Sequence, residues 1–387
     1  MACLLKAPEG SLKGCVVFTT QERDLVINKS AELRATIQAL KQRYVIGLHH
    51  NWHDHQFHYD SLFDFSMAGD GDLIEADGKG FARVPLDACN FAPACYSASR
   101  GEQFWDILYV ARAVAFKGIP EFFQTIRALY DRGLTPRVLF ICPLPEEVEI
   151  PGIADLRTYF EDLFSVAERR RVTFLTLDWE YPFPFDAETL AFFYRSSRIF
   201  FHPAPDERRC RTAAYAWASG MPVVCGGNVA SILPQRFHRP PLLFSFENPG
   251  DATDALATAL REGAGLDAHW LDVAAEFSTA PSASRLAHML DSQATRFGWG
   301  EMAKAPINPS GLDIRLGRHH GISMGANRVD LTIAQLCEAL SVLSDEDVKS
   351  VCAADDTELA LRDAWQARSR AGGAVTGLLK KIGLLRT

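Results

Sequence analysis

From about residue 106 the chain alternates between short apolar runs and longer stretches in which apolar residues recur with helical spacing. The apolar runs predict strands at residues 106–111, 137–142, 172–177, 198–201, 221–225 and 242–246. The stretches between and after them predict helices at residues 120–132, 155–170, 186–195, 207–220 and 252–261. This alternation is typical of an α/β fold with a mainly parallel, doubly wound sheet.

The pattern is weaker on both sides of this segment. Before it, strands are predicted at residues 15–20, 44–48 and 81–85, with a helix at 30–43. After it, helical spacing returns at residues 268–277, 282–296 and 331–343, and Asp345 begins a further helix. We therefore expect a reduced amino-terminal α/β domain at 1–101, a Rossmann-like domain at 102–263 and a helical extension at 264–387.

Composition narrows the function classes. The formal net charge of -8 argues against general binding to nucleic acid, whose phosphates would repel an acidic surface. The nine cysteines include no CxxC pair and predict reduced, mostly buried thiols. With no signal peptide and no apolar segment of membrane-spanning length, we expect a cytoplasmic protein. The apolar, basic end at residues 377–386 predicts either a packed terminal helix or a peripheral membrane contact.

Candidate chemistry lies where predicted strands end. Arg112 and, five residues later, Lys117 follow the strand at 106–111, where two cations can hold a diphosphate. Glu207 follows the strand at 198–201 and enters a helix, whose dipole favours a carboxylate there regardless of function. The predicted strand at 81–85 is the third of this kind, and its end, at residues 84–87, leads into an extended connector.

In their order and spacing, these three strand-end segments resemble those of the retaining, nucleotide-sugar-dependent glycosyltransferases of the GT-B fold, in particular glycosyltransferase family 4. The family's Gly-Arg pair and its Lys-Gly five residues after the Arg correspond to Ala111-Arg112 and Lys117-Gly118. Its Pro-Ser-x-x-Glu turn corresponds to residues 203–207, and its Glu-Ala-x-Ala-x-Gly-x-Pro-Val-Val to residues 215–224. The similarity covers about residues 80–262 and implies a GT-B-like fold whose second domain binds the donor.

The resemblance implies transfer of a sugar from a nucleoside-diphosphate sugar to an acceptor hydroxyl, with retention. The acceptor would be a glycan, a lipid-linked molecule or a protein, and the nucleotide sugar would be a co-substrate, with no cofactor. The implied site residues are Glu207, as a catalytic residue that orients the sugar, and Arg112 and Lys117 at the donor diphosphate. Arg208 and Arg209 are further candidates for the diphosphate, and Tyr215 is the candidate at the nucleotide, although all three replace other residues of the family pattern.

Five histidines follow the strand at 44–48: His49, His50, His53, His55 and His58. A metal site is one interpretation, but no cysteine accompanies them and we assign no metal. His50 and His53 are the candidates for a general base or a contact to a sugar hydroxyl. An ordinary surface loop is an equal alternative.

Departures from the family pattern favour a second interpretation. Tyr215 stands in place of the family's second glutamate. Arg208-Arg209-Cys210 stand in place of glycines that let backbone amides approach phosphate. With the short amino-terminal domain, these changes favour a catalytically inactive GT-B-like scaffold or a nucleotide- or sugar-binding module.

Overall fold

The computed structural model describes residues 3–50, 60–68, 82–97, 101–143, 147–177, 186–204, 207, 209–262, 269–317, 332–357 and 359–368. The chain divides into two compact units. The first unit combines Met1–Ala88 with Ala283–Thr387, and the second unit is Cys89–Ser282. Within the described residues, no helix is long and apolar enough to cross a membrane.

The described strands are β1 Cys3–Lys6, β2 Gly14–Thr19, β3 Tyr44–His49, β4 Phe65–Met67, β5 Ala82–Val84, β6 Trp105–Val110, β7 Val138–Pro143, β8 Val172–Leu177, β9 Ser197–His202, β10 Val223–Gly226 and β11 Leu243–Phe246. The described α-helices are α1 Thr20–Leu25, α2 Ala31–Leu40, α3 Ile119–Asp131, α4 Leu156–Leu163, α5 Val166–Arg169, α6 Ala187–Arg195, α7 Arg211–Ala218, α8 Gly227–Ala230, α9 Ala252–Glu262, α10 Trp270–Phe277, α11 Thr279–Phe297, α12 Leu312–Arg315, α13 Ile333–Val342 and α14 Asp345–Ala353.

The second unit is built on a six-stranded sheet in the order β11-β10-β9-β6-β7-β8, and all of its pairings are parallel. In such a doubly wound sheet the chain first winds from the middle towards one edge and then from the middle towards the other. The prediction of an α/β fold with a parallel, doubly wound sheet is therefore confirmed.

An aromatic core holds the helices of the second unit on their sheet. Phe123 of α3 contacts Phe140 of β7 edge to face, with ring centroids 5.2 Å apart. Phe122, its neighbour on the same helix, packs against Phe201 of β9 at 5.8 Å. All four rings are fully buried. Burial of one such side chain contributes about 1.5–3 kcal/mol, so this contact fixes the start of α3, and the loop before it, on the sheet.

The first unit contains a five-stranded sheet in the order β1-β2-β3-β4-β5. Strands β2 to β5 are parallel, and β1 pairs antiparallel with β2. The sequence analysis predicted β2, β3 and β5 but missed β1 and β4, which have four and three residues and carry little periodicity. Two units built on mainly parallel sheets are the arrangement that the GT-B resemblance implied.

The carboxyl-terminal helices complete the core of the first unit. Leu336 and Leu340 of α13 and Val348 of α14 are buried in the same cluster as the residues of α2, β2 and β3. The Arg43 guanidinium donates to the Leu340 carbonyl at 2.9 Å and to the Asp345 carboxylate at 2.7 Å. The expected boundaries at 101 and 263 therefore differ from those of the structure, because helices distant in sequence cover the first sheet.

Two helix predictions need correction. The helix expected at 155–170 is broken at Phe164, whose backbone is extended and whose ring is buried, and Ser165 then caps α5. The helix expected at 207–220 begins only at Arg211. Arg209 has a φ of +52°, a left-handed conformation that a right-handed helix excludes, so α7 starts after it. The other predicted elements of the Rossmann-like segment agree with the structure to within a few residues.

Candidate active site

The strand order creates a switch point between two neighbouring strands of the second sheet. β6 and β9 are neighbours, and from them the chain winds to opposite edges of the sheet, through α3 to β7 and through α7 to β10. The connections leaving their carboxyl ends therefore diverge and open a crevice, which is where α/β sheets of this type bind ligands. Lys117 lies on the connection after β6, and His202 is the last residue of β9.

The connection after β6 is held against the sheet. The Tyr109 hydroxyl of β6 donates a hydrogen bond to the Lys117 carbonyl. Gly118 follows in the left-handed conformation, with a φ of +69°, and caps the start of α3. A Cβ atom at Gly118 would lie 3.1 Å from the Ala204 backbone nitrogen and 3.2 Å from its Cα. The Lys-Gly pair is thus explained physically, because the glycine lets this connection approach the turn after β9.

Gly118→Ala is expected to lower the free energy of unfolding by about 3 kcal/mol, because it adds left-handed strain and crowds the Ala204 backbone. Gly133→Ala is the matched control, since Gly133 has a φ of +77° but an added Cβ atom would meet nothing within 4 Å. Strain alone should cost that variant about 1–2 kcal/mol. Urea unfolding of both variants measures the difference, and equal losses would contradict the close approach.

Three charged or ionisable side chains meet at this crevice. Glu207 Oε1 accepts a hydrogen bond from the Lys117 ammonium, and Glu207 Oε2 lies 2.5 Å from His202 Nε2. His202 and Glu207 side chains are 1% and 3% exposed, whereas Lys117 is 19% exposed. The carboxylate is therefore held between a buried imidazole and the ammonium of a lysine whose side chain is partly exposed.

The environment shifts the pKa values of His202 and Glu207 in opposite directions. Burial alone disfavours both charged forms. The Cys210 sulfur and the Glu207 carboxylate nevertheless outweigh burial and raise the pKa of His202 to about 9. In the same way His202 and Lys117 outweigh burial and lower the pKa of Glu207 to about 2. Near neutral pH the pair is therefore an imidazolium and a carboxylate. Burial and Glu207 raise the pKa of Tyr109 well above its ordinary value, which keeps its hydroxyl a donor.

Cys210 adds a sulfur to the group. Ligand atoms of His202, Glu207 and Cys210 lie within 4.8 Å of one another, and all three residues are buried. Cys210 is the N-cap of α7 and its Sγ lies 3.2 Å from the Thr212 hydroxyl. The left-handed Arg209 lies just before it and is 6% exposed. A left-handed conformation at an arginine marks local backbone strain.

The other residues expected at the diphosphate and the nucleotide occupy different surroundings. Arg112 is half exposed, with its guanidinium 3.9 Å from both Glu147 and Glu149, so it contacts other carboxylates than Lys117 does. Tyr215 of α7 stacks on Tyr96 with ring centroids 4.4 Å apart. These observations give positions, and the roles of both residues stay predictions.

Of the remaining expected site residues, the structure describes His50 but not His53 or Arg208. His50 follows β3 in the first unit and is 3% exposed, and its backbone amide donates to the Met67 carbonyl at 2.9 Å. His53 and Arg208 lie outside the described residues, as does the basic end at 377–386. Their predicted roles are unchanged.

Sequence reasoning singled out Lys117 and Glu207 but gave no role to His202, Cys210 or Tyr109. One signal was present, since His202 ends an apolar strand five residues before Glu207. The apolar strand itself predicts that its last side chain is buried, and a buried imidazole needs a polar partner. Tyr109 and Cys210 carried no such signal, because a tyrosine in a strand and a single cysteine are ordinary core residues.

Comparisons with known proteins find similar solved structures but no matching family profile or curated sequence. An alpha,alpha-trehalose-phosphate synthase (UDP-forming) from Burkholderia vietnamiensis is similar, with 17% identity and a TM-score of 0.46 over 74% of this chain and 80% of that one. A sucrose-phosphate synthase from Thermosynechococcus elongatus has 15% identity and a TM-score of 0.41 over 66% and 67%. The GtfA/B complex has 11% identity and a TM-score of 0.48 over 68% and 56%.

With identities this low and TM-scores below 0.5, the activity has to follow from the site itself. The site combines the cation of a partly exposed lysine, a carboxylate with one oxygen towards that cation and a protonated imidazole at the other oxygen. Such a group can stabilise negative charge on a bound phosphate through Lys117 and can accept hydrogen bonds through Glu207.

Proposed function

We propose that the chain is a glycosyltransferase that moves a sugar from a nucleoside-diphosphate sugar to an acceptor hydroxyl, with retention. The observation that carries this proposal is the Lys117–Glu207 pair at the switch point of the second sheet. Switch points of doubly wound sheets bind nucleotides. A cation and a carboxylate at this point could bind the two halves of the donor, the cation its diphosphate and the carboxylate its sugar.

In the proposed reaction, negative charge develops on the leaving diphosphate. Breaking the bond between the anomeric carbon and the diphosphate oxygen leaves negative charge on the diphosphate, while the acceptor oxygen bonds to the same carbon and loses its proton. Lys117 would stabilise the leaving diphosphate, with Arg112, Arg208 and Arg209 as further candidates for its oxygens. Glu207 would accept hydrogen bonds from donor hydroxyls and fix the orientation of the sugar.

The remaining participants are proposed by class. The nucleotide sugar is a co-substrate, and the acceptor is a glycan, a lipid-linked molecule or a protein. His50 and His53 are the candidates for the base that takes the acceptor proton. Tyr215 is proposed at the nucleotide, and residues 377–386 at a membrane surface if the acceptor is lipid-linked.

A second candidate is a nucleotide- or sugar-binding module that performs no transfer. The observation that favours it is the engagement of Glu207, whose two oxygens already contact Lys117 and His202. The left-handed Arg209 also stands where close approach of backbone amides to phosphate would favour glycine.

Thermal unfolding with UDP, GDP and ADP tests whether the site binds a nucleoside diphosphate at all. A nucleotide present at a hundred times its dissociation constant should add about 2.7 kcal/mol to the free energy of unfolding. The matching nucleosides, which lack the diphosphate, should add much less. Release of nucleoside diphosphate from UDP-glucose, GDP-mannose and ADP-glucose then separates transfer from binding. Binding without release would favour the module, and no shift with any nucleotide would contradict the transferase and favour a catalytically inactive scaffold or a module that binds sugar alone.

A further inference from the structure

His202, Glu207 and Cys210 present three different metal-binding atoms in one buried place. Their imidazole nitrogen, carboxylate oxygen and thiol sulfur lie within 4.8 Å of one another. They come from different parts of the chain: His202 ends β9, Cys210 is the N-cap of α7 and Glu207 lies between them. Three converging ligand atoms on backbone segments anchored to one sheet form a preorganised site rather than a chance surface cluster.

A second observation concerns burial. The His202 and Glu207 side chains are 1% and 3% exposed, and His202 Nε2 faces Glu207 Oε2 at 2.5 Å. Buried polar groups have to be paired because water does not reach them, and an ion bound between these two atoms would pair both.

The charges also match a dication. A Cys210 thiolate and the Glu207 carboxylate together carry two negative charges, which neutralise a divalent ion bound by a neutral imidazole. Lys117 contacts Glu207 through Oε1, which leaves Oε2 to bind the ion.

We propose that His202, Glu207 and Cys210 bind a thiophilic divalent cation, with Zn²⁺ as the best match. Sulfur and imidazole ligands select Zn²⁺ over Mg²⁺ and Ca²⁺, which prefer oxygen. Ligand atoms around tetrahedral Zn²⁺ are about 3.5 Å apart. His202 Nε2 and Glu207 Oε2, which lie 2.5 Å apart, would therefore separate by about 1 Å, and the widest separation in the group, which is at most 4.8 Å, would close by about as much. Three protein ligands leave the fourth position to a solvent or ligand atom. This proposal does not depend on the transferase function.

Cobalt titration of the full chain, after treatment with a chelator, provides a test that needs no substrate. Co²⁺ bound by a thiolate gives a charge-transfer band in the near ultraviolet, and Co²⁺ bound by histidines alone does not. The wild-type chain should develop this band with one equivalent of Co²⁺ and lose it when Zn²⁺ displaces Co²⁺. Metal bound only by the histidines at 49–58 would give no band.

Variants assign the ligands. Cys210→Ser should abolish the band, and His202→Gln should weaken Co²⁺ binding at least tenfold. Cys142→Ser is the matched control, because Cys142 is a fully buried cysteine on β7 of the same core and should leave the band unchanged. Circular dichroism confirms that each variant is folded. No saturable band in the wild-type chain, or an unchanged band in folded Cys210→Ser, would overturn the proposal, and the wild-type result stands even if a variant fails to fold.

Discussion

Replacing Lys117 by alanine should lower kcat on a nucleotide sugar by about a hundredfold to a thousandfold, the usual cost of removing one preorganised group that stabilises developing charge. The Lys117 ammonium bonds Glu207, and 19% of its side chain reaches solvent. Lys117 stands on the connection after β6, which is where the leaving diphosphate is proposed to bind. The measurement is steady-state release of nucleoside diphosphate by a folded variant.

Two variants control for trivial causes of that loss. Lys117→Arg keeps a positive charge and should recover part of the activity, although its planar guanidinium fits the Glu207 pocket differently. Arg239→Ala removes a positive charge from an exposed position of the same unit and should leave kcat unchanged. A Lys117→Ala variant with undiminished turnover would show that the phosphate site has been placed wrongly.

Replacing Glu207 by alanine should lower the free energy of unfolding by about 3–5 kcal/mol. The variant leaves the His202 imidazolium and the Lys117 ammonium facing each other without the carboxylate that separates them. His202 is 1% exposed, so water cannot replace the lost partner. The large effect comes from the stranded charges, since an intact buried pair contributes much less than its disruption costs.

Urea unfolding in the presence of a chelator measures this loss without any contribution from bound metal. Glu207→Gln keeps the shape and hydrogen-bonding capacity but not the charge, and should lie between the wild type and Glu207→Ala. Glu149→Ala is the matched control, because its carboxylate is 68% exposed and 3.9 Å from Arg112. Exposed pairs contribute about 0–1 kcal/mol, so this control should be nearly neutral. A Glu207→Ala variant as stable as this control would contradict the buried ion pair.

Much of the second unit could be predicted from the sequence because its information is local. Apolar runs and helical spacing located each strand from β6 to β11, since the periodicity of side-chain burial is set by neighbours in the chain. The same local patterns drew attention to Lys117 and Glu207, which stand where strands end. Where local pattern was weak, as at β1 and β4, the prediction failed.

The role of α13 and α14 was decided only in three dimensions. The sequence predicted a helix at 331–343 and a further helix from Asp345 but could not name the surface that they cover. The structure places them on the first sheet, with Arg43 bonded to the Leu340 carbonyl and to Asp345. Such contacts join residues about 300 positions apart, and no periodicity within either segment encodes them.

Local sequence patterns were enough to locate every strand of the Rossmann-like segment and to single out Lys117 and Glu207, which follow two of those strands. Tertiary structure decided that β6 and β9 are neighbours and that Gly118 packs against Ala204, which brings those side chains into contact. It also added His202 and Cys210 to the site. The physical reason is that strand order is fixed by non-local packing, whereas hydrophobic periodicity records only which face of each element is buried.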